Sequence, residues 1–580
     1  MNYLADFQAR TDLTSQYGNN ALMLYALQLR FELSDIVATA SDALTDGGDD
    51  KKCDLIYVDQ DTGVAVIAQG YMRQNPKDSD LAPGNKASDL NTASAWVFSQ
   101  VPDDVPEQIR EQVRLLQTSI ENNSVSTIYF WYVHNLNECN NPNIKEELAT
   151  MQTSARSLVK STFPNHEVDV FAVEVGNETI EKWYNAASKQ ITITDTFDVE
   201  TPKVGFELVG EKWKAFVTAV SAKWLKQIYT TYNDDLFSGN PRTYLGSGKK
   251  KNKINLGIKE TVDQQPNNFW AYNNGITALV NNYVVNETAG EKTLSISGIT
   301  IINGAQTTGA ISTVETLKDA WVPIRFIVCN QADIIDDIIN NNNKQNEILP
   351  ADLRSNDTTQ NRLRTEFEPY TKLYYSGGRR GNIRPSRSKE VLDPYVVAQS
   401  LLAFHGDCVT AYNGKNDLWS NDQLYSNIFQ ENLTVEHIIF TYSLARAIDS
   451  YKLELQQKGD ARTDIEEKQH KYLSKRGSKM LLLYTISKCM ESIMGIKITD
   501  SWVLSFNDNS DFDAIVRLWM TIVTTILPLA CAHLEPVLTD GLKSKESSEN
   551  AANTVVGLFA SIKDTIQTKL QVFANTVKHS

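Results

Sequence analysis

Residues 45–74 read TDGGDDKKCDLIYVDQDTGVAVIAQGYMRQ, and the fold of the N-terminal part of the chain turns on them. Asp46, Asp49 and Asp50 form an acidic loop ahead of Asp54. CDLIYVD (53–59) and VAVIAQGY (64–71) are rich in apolar and β-branched residues, and QDTG between them is a turn sequence. The stretch therefore predicts a strand hairpin. Asp54 starts its first strand, and Gln69-Gly70-Tyr71 ends its second.

Upstream, residues 19–44 carry apolar side chains at helical spacing. Downstream, 103–122 predicts an amphipathic helix, with Asp104 placed to cap it and Pro106 in its first turn. STIYFWYVHNL (126–136) reads as a strand, 143–163 as a helix and HEVDVFAVEVG (166–176) as a further strand. This order predicts an α/β domain over residues 1–200.

Metal-dependent phosphodiester cleavage needs oxygen ligands converging on Mg²⁺, which activates water and stabilises the phosphate. A hairpin can supply an aspartate at the start of one strand and an acid-x-Lys at the end of the next. A glutamate from the preceding helix completes the set. Here Asp54 takes the first place and Gln69 offers an amide carbonyl, so these two are the candidate metal ligands, for Mg²⁺. With Glu32 as the helix carboxylate, Asp54, Gln69 and Glu32 are the candidate catalytic residues. Tyr71 stands where the lysine belongs, and a phenol carries no fixed positive charge for the transition state. Arg73 lies one pleat further on, and Lys51 and Lys52 sit in the acidic loop. By itself the stretch is equally a surface loop before a hairpin. With the flanking elements it is similar to a restriction-endonuclease-like fold, active or inactive.

The 580 residues include 71 acidic and 56 basic ones, a net charge of −15, which argues against a protein coated in basic surface for nucleic acid. Nucleic-acid contact must then come from particular segments. SGGRRGNIRPSRSK (376–389), with Arg379 and Arg380, is the best phosphate-contacting loop, and GSGKKKNK (246–253) is second. The latter lacks the first glycine and the hydroxyl of a phosphate-binding P-loop. Six scattered cysteines without a CxxC pair predict reduced, mostly buried thiols, and the seven histidines show no metal-ligand spacing. The N-terminus has no signal-peptide pattern, and the apolar run 518–534 contains Pro528, so a buried helix and a cytoplasmic protein without membrane contact are expected.

In the middle of the chain, 211–233 reads as helix-rich, while FWAYNNGITALV (269–280) and GITIINGAQTTGAI (298–311) each place Asn-Gly at a sharp turn. The second of these reads as strand, turn and helix N-terminus, the arrangement of an anion cradle. Asn273, Asn274, Asn303, Gln306 and Thr307, with Arg242, Arg354 and Arg364, have the chemistry to bind nucleotide or nucleic acid, since amides read base edges and arginine reads phosphate. The alternative is that the amides cap turns and the arginines pack against carboxylates. VPIRFIVCN is a strand, ADIIDDIINNNN begins a helix, and residues 391–580 read almost wholly as helix. The expected domains are 1–200, 201–390 and 391–580.

LFSGNPRTYLG, NNFWAYNNGITAL, ISGITIINGAQTTGAI and NNNNKQNEILPADLRSNDTTQNRL, in this order over residues 230–410, resemble the AIPR family, named for abortive infection and phage resistance. The resemblance implies an α/β central domain, bacterial antiphage defence, and a phage component or defence-system partner; a homo-oligomer is expected. Many relatives have Gln-x-Lys where this chain has Gln69-Gly70-Tyr71. IINGAQTTGAI also resembles the motif of ParB-like nucleotide-binding domains, with Asn303 in place of the usual aspartate. Two readings stay open: an effector acting on nucleic acid through the hairpin, and a non-catalytic sensor that binds a nucleotide or nucleic acid.

Overall fold

The hairpin closes because its turn is hydrogen-bonded from within. Asp59 Oδ1 accepts from the N–H groups of Asp61 (2.9 Å) and Thr62 (3.1 Å), and Gly63 takes the positive φ of +74° that ends the turn. It joins β1 (Leu55–Asp59) to β2 (Val64–Tyr71), which pair antiparallel with Leu55 opposite Ala68. The computed structural model describes residues 2–579 apart from 32, 34, 46, 78, 139–140, 189–190, 192, 200, 202–204, 233–235, 238–248, 289–290, 315, 330, 344–353, 355–356, 378–389 and 540.

β3 (Thr127–His134) and β4 (Asp169–Val175) extend the sheet in parallel, giving the order β1-β2-β3-β4. Helices Gly84–Ser99, Glu107–Glu121 and Pro142–Thr162 cover one face, through Leu90, Val113 and Met151 packed on Ile67, Ile128 and Phe130. The other face meets Phe31 and Trp183, which lie against Trp131 at ring distances of 5.8 and 5.0 Å. The result is a helix–sheet–helix sandwich with a mixed sheet. Pro106, not Asp104, is the N-cap residue of Glu107–Glu121. Proline disfavours helical backbone in the residue before it, so Val105 is extended and Asp104 closes a separate turn, Pro102–Asp104.

A second sheet has the order β5-β10-β8-β11-β7-β6, with β9 paired to β10. Its strands are β5 (Ile193–Val199), β6 (Phe206–Val209), β7 (Trp213–Ser221), β8 (Ile276–Leu279), β9 (Asn282–Thr288), β10 (Glu291–Asn303) and β11 (Trp321–Cys329). The helix expected over 211–233 is only half helix: β7 precedes Ala222–Tyr232. WKAFVTAVS pairs along its whole length with β11, and that pairing outweighs its helical pattern. One face of this sheet packs under Ala222–Tyr232 and Ala305–Ser312, the other under Ala332–Asn343.

The chain divides into two compact units, residues 1–33 with 44–347, and residues 34–43 with 348–580. The second is mainly helical. The helix expected over 19–44 is interrupted: Ala21–Phe31 belongs to the first unit, whereas Ile36–Ala43 packs on Val435–Lys458 in the second. Asp35 explains the restart, because its Oδ1 accepts from the Ala38 N–H (2.8 Å) as an N-cap. The same carboxylate pairs with Arg446 (2.8 Å), buried with it. Phe512–Leu538 is long and apolar enough by composition to cross a membrane, yet Trp519, Ile522, Val523, Ile526 and Leu527 are core residues of this unit. Cys53, Cys408, Cys489 and Cys531 are buried free thiols, and Cys329 is a half-buried one.

Candidate functional site

Side chains opposite each other across an antiparallel pair share a face, and so do register partners in a parallel pair. Ile56 faces Ile67, so two residues back along β1 Asp54 lies beside Gln69. Gln69 is opposite Tyr132, and Tyr132 is opposite Glu174. The sheet thus carries one polar row, Asp54–Gln69–Tyr132–Glu174, at the C-terminal end of its parallel strands. Tyr71 and His134 form the next row out. Both rows lie on the face covered by Gly84–Ser99 and Pro142–Thr162.

Within the row, Asp54 Oδ2 accepts from Gln69 Nε2 (2.6 Å) and from the Gly70 N–H (2.7 Å). Asp54 is held in place by its own backbone as well: its N–H donates to Ala68 O, and its carbonyl accepts from the Thr45 N–H. Gln69 is 3 % exposed, and its Oε1 has no hydrogen-bond partner among the described residues. An orphaned buried amide oxygen costs about 1–3 kcal/mol, so it marks a position the fold keeps for some other reason. Burial pushes the Tyr132 hydroxyl far above the ordinary phenol range, with Tyr71 and Glu174 adding to the effect, and the neutral O–H donates to Pro83 O (3.1 Å). His134 accepts at Nδ1 from the Leu136 N–H (3.3 Å), so its Nε2–H donates to Glu174 Oε1 (3.1 Å). Glu174 and Asp54 are three strand spacings apart, about 14 Å, too far to share an ion.

The basic residues around the hairpin are engaged nearby. Lys51 pairs with Asp49 and lies 4.8 Å from the Trp96 ring centre. Lys52 pairs with Asp89 (3.7 Å), and Arg73 Nε with Asp80 (2.7 Å). Asp50 caps the loop, accepting from the N–H groups of Lys52 (2.8 Å) and Gly47 (3.2 Å). Glu32 lies outside the described residues, and so do Arg242, Arg379 and Arg380. Among the described residues no group of three His, Cys, Asp or Glu side chains is placed to hold a metal.

The two Asn-Gly turns of the second sheet come together. Gly304 adopts φ +105°, and a Cβ there would stand 2.7 Å from Ile276 Cγ1 and 3.2 Å from Gly275 O. Asn273 Oδ1 accepts from the Gly275 N–H (2.9 Å), and its side chain lies 3.4 Å from Thr307 Oγ1 in the first turn of Ala305–Ser312. Asn303 Nδ2 donates to Asn342 O (2.8 Å). Arg325 joins the same network, donating to Thr277 Oγ1 (2.7 Å) and Asn342 Oδ1 (2.9 Å). Asn274 is exposed and Gln306 half-buried at this junction. Arg354 belongs to the helical unit, where it pairs with Asp422, donates to Trp419 O (3.2 Å) and lies 4.7 Å from the Tyr425 ring centre. Arg364 donates to Ser376 O and Gly377 O.

Tyr132, His134, Glu174 and Arg325 are the polar members that sequence reading passed over. TIYFWYVH alternates Ile128, Phe130, Tyr132 and His134 on one face, a usable signal, but the partner strands' register was needed to align it with Gln69 and Glu174. Arg325 is the single charge in WVPIRFIVC, and a lone charge in a central strand marks a site or a buried pair.

The Asn-Gly junction and most of the helical core lie within residues 237–528, which match the family model described as AIPR protein; the hairpin lies outside that match. No curated protein and no solved structure matches the chain. The match reaches well beyond the segment 230–410 that carries the motif resemblance and covers half of the chain, which is therefore a member of the AIPR family.

Proposed function

We propose that this chain is an abortive-infection protein of bacterial phage defence, the role the AIPR family suggests, and that it acts on nucleic acid at the Asp54–Gln69 edge of the first sheet. One observation carries the site: Gln69, whose Nε2 donates to the Asp54 carboxylate, keeps its buried Oε1 without a hydrogen-bond partner among the described residues. A carboxylate oxygen beside an amide oxygen is a donor set suited to a hard cation. Mg²⁺ is commonly held by one or two protein oxygens and keeps several waters, so Asp54 and Gln69 fit it. Bound there, Mg²⁺ would supply Lewis-acid polarisation of a phosphate and activation of its water. The protein's own contribution is to hold Asp54 by the Gly70 N–H, with Gly84–Ser99 packed on the same face of the sheet. The order β1-β2-β3-β4, with an antiparallel hairpin followed by parallel strands, supports a restriction-endonuclease-like core. A cytoplasmic homo-oligomer is the setting we assign to it.

Tyr71 favours a second reading. With a phenol in the lysine position and Lys51, Lys52 and Arg73 paired to Asp49, Asp89 and Asp80, the edge would bind nucleic acid or a nucleotide without cleaving it. Incubation of the purified protein with plasmid DNA and with total RNA, in Mg²⁺ or Mn²⁺ and beside Asp54→Ala, separates the two. Cleavage lost in the variant establishes the nuclease. No cleavage by wild type, together with phage protection undiminished in Asp54→Ala, sinks it.

A further inference from the structure

The four-residue helix Phe269–Tyr272 buries its first aromatic ring completely and leaves the other two in water: Trp270 is 57 % exposed and Tyr272 65 %. Large aromatic rings so placed lose the burial that usually justifies them. Phe269 anchors the helix in the core beneath the second sheet, so the exposure of its neighbours is fixed by a rooted backbone. Successive helical positions are about 100° apart, so Trp270 and Tyr272 flank the anchor on either side.

The chain then enters the Asn-Gly junction directly. Asn273 ties this segment to Thr307, and the close approach of Gly304 to Gly275 O fixes the two turns against each other. Asn274, next to Asn273, and Gln306, next to Thr307, have no side-chain hydrogen bond among the described residues. Two exposed rings and two uncommitted amides therefore lie on segments that meet at the start of β8 and the end of β10, two central strands of the second sheet. An aliphatic patch would suit a protein partner. Rings interleaved with amides suit flat, polar-edged heterocycles, because an amide both donates and accepts as a base edge does.

We propose that this junction binds nucleobases, stacking them on Trp270 and Tyr272 and hydrogen-bonding their edges to Asn274 and Gln306. The source is a single strand, whose unstacked bases expose both faces and edges. The site is separate from the Asp54–Gln69 row and does not depend on that reading. Arg325, the single charge in β11, already bonds Thr277 and Asn342, so its own contribution to the salt dependence is expected to be at most about one phosphate's worth.

The test is fluorescence anisotropy on the full chain in EDTA, with labelled single-stranded DNA and RNA 12-mers, the matching duplex, and unlabelled AMP and ATP as competitors. Single strands are expected to bind at least tenfold tighter than duplex. Trp270→Ala and Tyr272→Ala should each weaken binding about fivefold or more, the usual loss of one stacked base. Trp213→Ala, another exposed tryptophan, should bind as wild type does. Competition by AMP or ATP with no strand binding would keep the nucleobase site and make its source a free nucleotide. The proposal is overturned if wild type binds neither strands nor nucleotides, or if Trp270→Ala and Tyr272→Ala, folded by circular dichroism, bind like wild type. Loss of cleavage in Asp54→Ala with strand binding intact would separate this site from the proposed nuclease, in whichever direction either fails.

Discussion

Asp35 and Asp54 are both buried aspartates, one in the helical unit and one in the hairpin, and the two regions settle them differently. Asp35 meets a guanidinium: Arg446 NH1 at 2.8 Å, with Glu390 on the same arginine and the Tyr442 hydroxyl donating at 3.0 Å. Burial pushes the Asp35 carboxyl up, but Arg446 more than reverses this and holds it below the usual range. Asp54 instead meets the Gln69 amide and a backbone N–H, and the amide's other end is left over. A carboxylate locked to an arginine has its charge spent on that partner. A carboxylate beside a spare oxygen still has chemistry to offer. Burial alone does not mark a site; the kind of partner does.

Breaking the closed arrangement should have the largest effect. Arg446→Met leaves the buried Asp35 and the half-buried Glu390 without their shared cation, and the helical unit should lose about 3–5 kcal/mol in urea denaturation. A loss below about 1 kcal/mol would mean that water reaches both carboxylates and would erase the contrast with Asp54.

The helical unit also buries titratable groups that it keeps neutral. His437 donates from Nδ1 to Leu504 O (2.8 Å) and accepts at Nε2 from His405 Nε2–H (2.9 Å), while His405 Nδ1 accepts from Ser501 Oγ (3.2 Å). Burial lowers His405 to about 3, with the His437 charge adding to it, and lowers His437 to about 4. The unfolded chain takes up these protons near pH 6.5 and the folded chain does not. Stability is thus full above pH 6.5 and falls as pH drops toward about 4, by at most about 1.4 kcal/mol per pH unit for each histidine. Melting temperatures from pH 8 to 4.5 should show that slope, and His437→Gln should reduce it. A flat profile in the wild type would mean that the pair is already protonated or open to water.

The hairpin should respond instead to cations. At ten to thirty times the dissociation constant, Mg²⁺ or Mn²⁺ should stabilise the first unit by about 1.4–2 kcal/mol, and Asp54→Ala should abolish the gain. An equal gain in the variant would place the cation elsewhere.

Much of this architecture was legible in the sequence, and the failures have physical causes. The hairpin, the strands β3, β4 and β11 and the helical C-terminal region follow from local pattern. WKAFVTAVS carries a helical pattern locally, and its strand character comes from β11, about a hundred residues away. The spacing over 19–44 predicts one continuous helix because nothing local shows that Asp35 restarts it to meet Arg446. Asp54 and Gln69 were legible as neighbours, since hairpin register is a short-range property. Tyr132 and Glu174 were not, since their alignment is set by parallel pairing across intervening helices.

The smallest expected effect discriminates most sharply. Gln69→Leu removes two things at once: the bond to Asp54 Oδ2, a charge-assisted one of about 1.5–3 kcal/mol, and the orphaned Oε1, whose burial costs about 1–3 kcal/mol. These nearly cancel, so the cation-free protein should be within about 1 kcal/mol of wild type. The stabilisation by Mg²⁺ or Mn²⁺ should fall with the substitution, because the amide oxygen is gone. A variant that melts several degrees lower but keeps its full cation response would show that Gln69 serves only to brace Asp54. A variant of unchanged stability that has lost its cation response would show that the spare oxygen is what the fold retains Gln69 to provide.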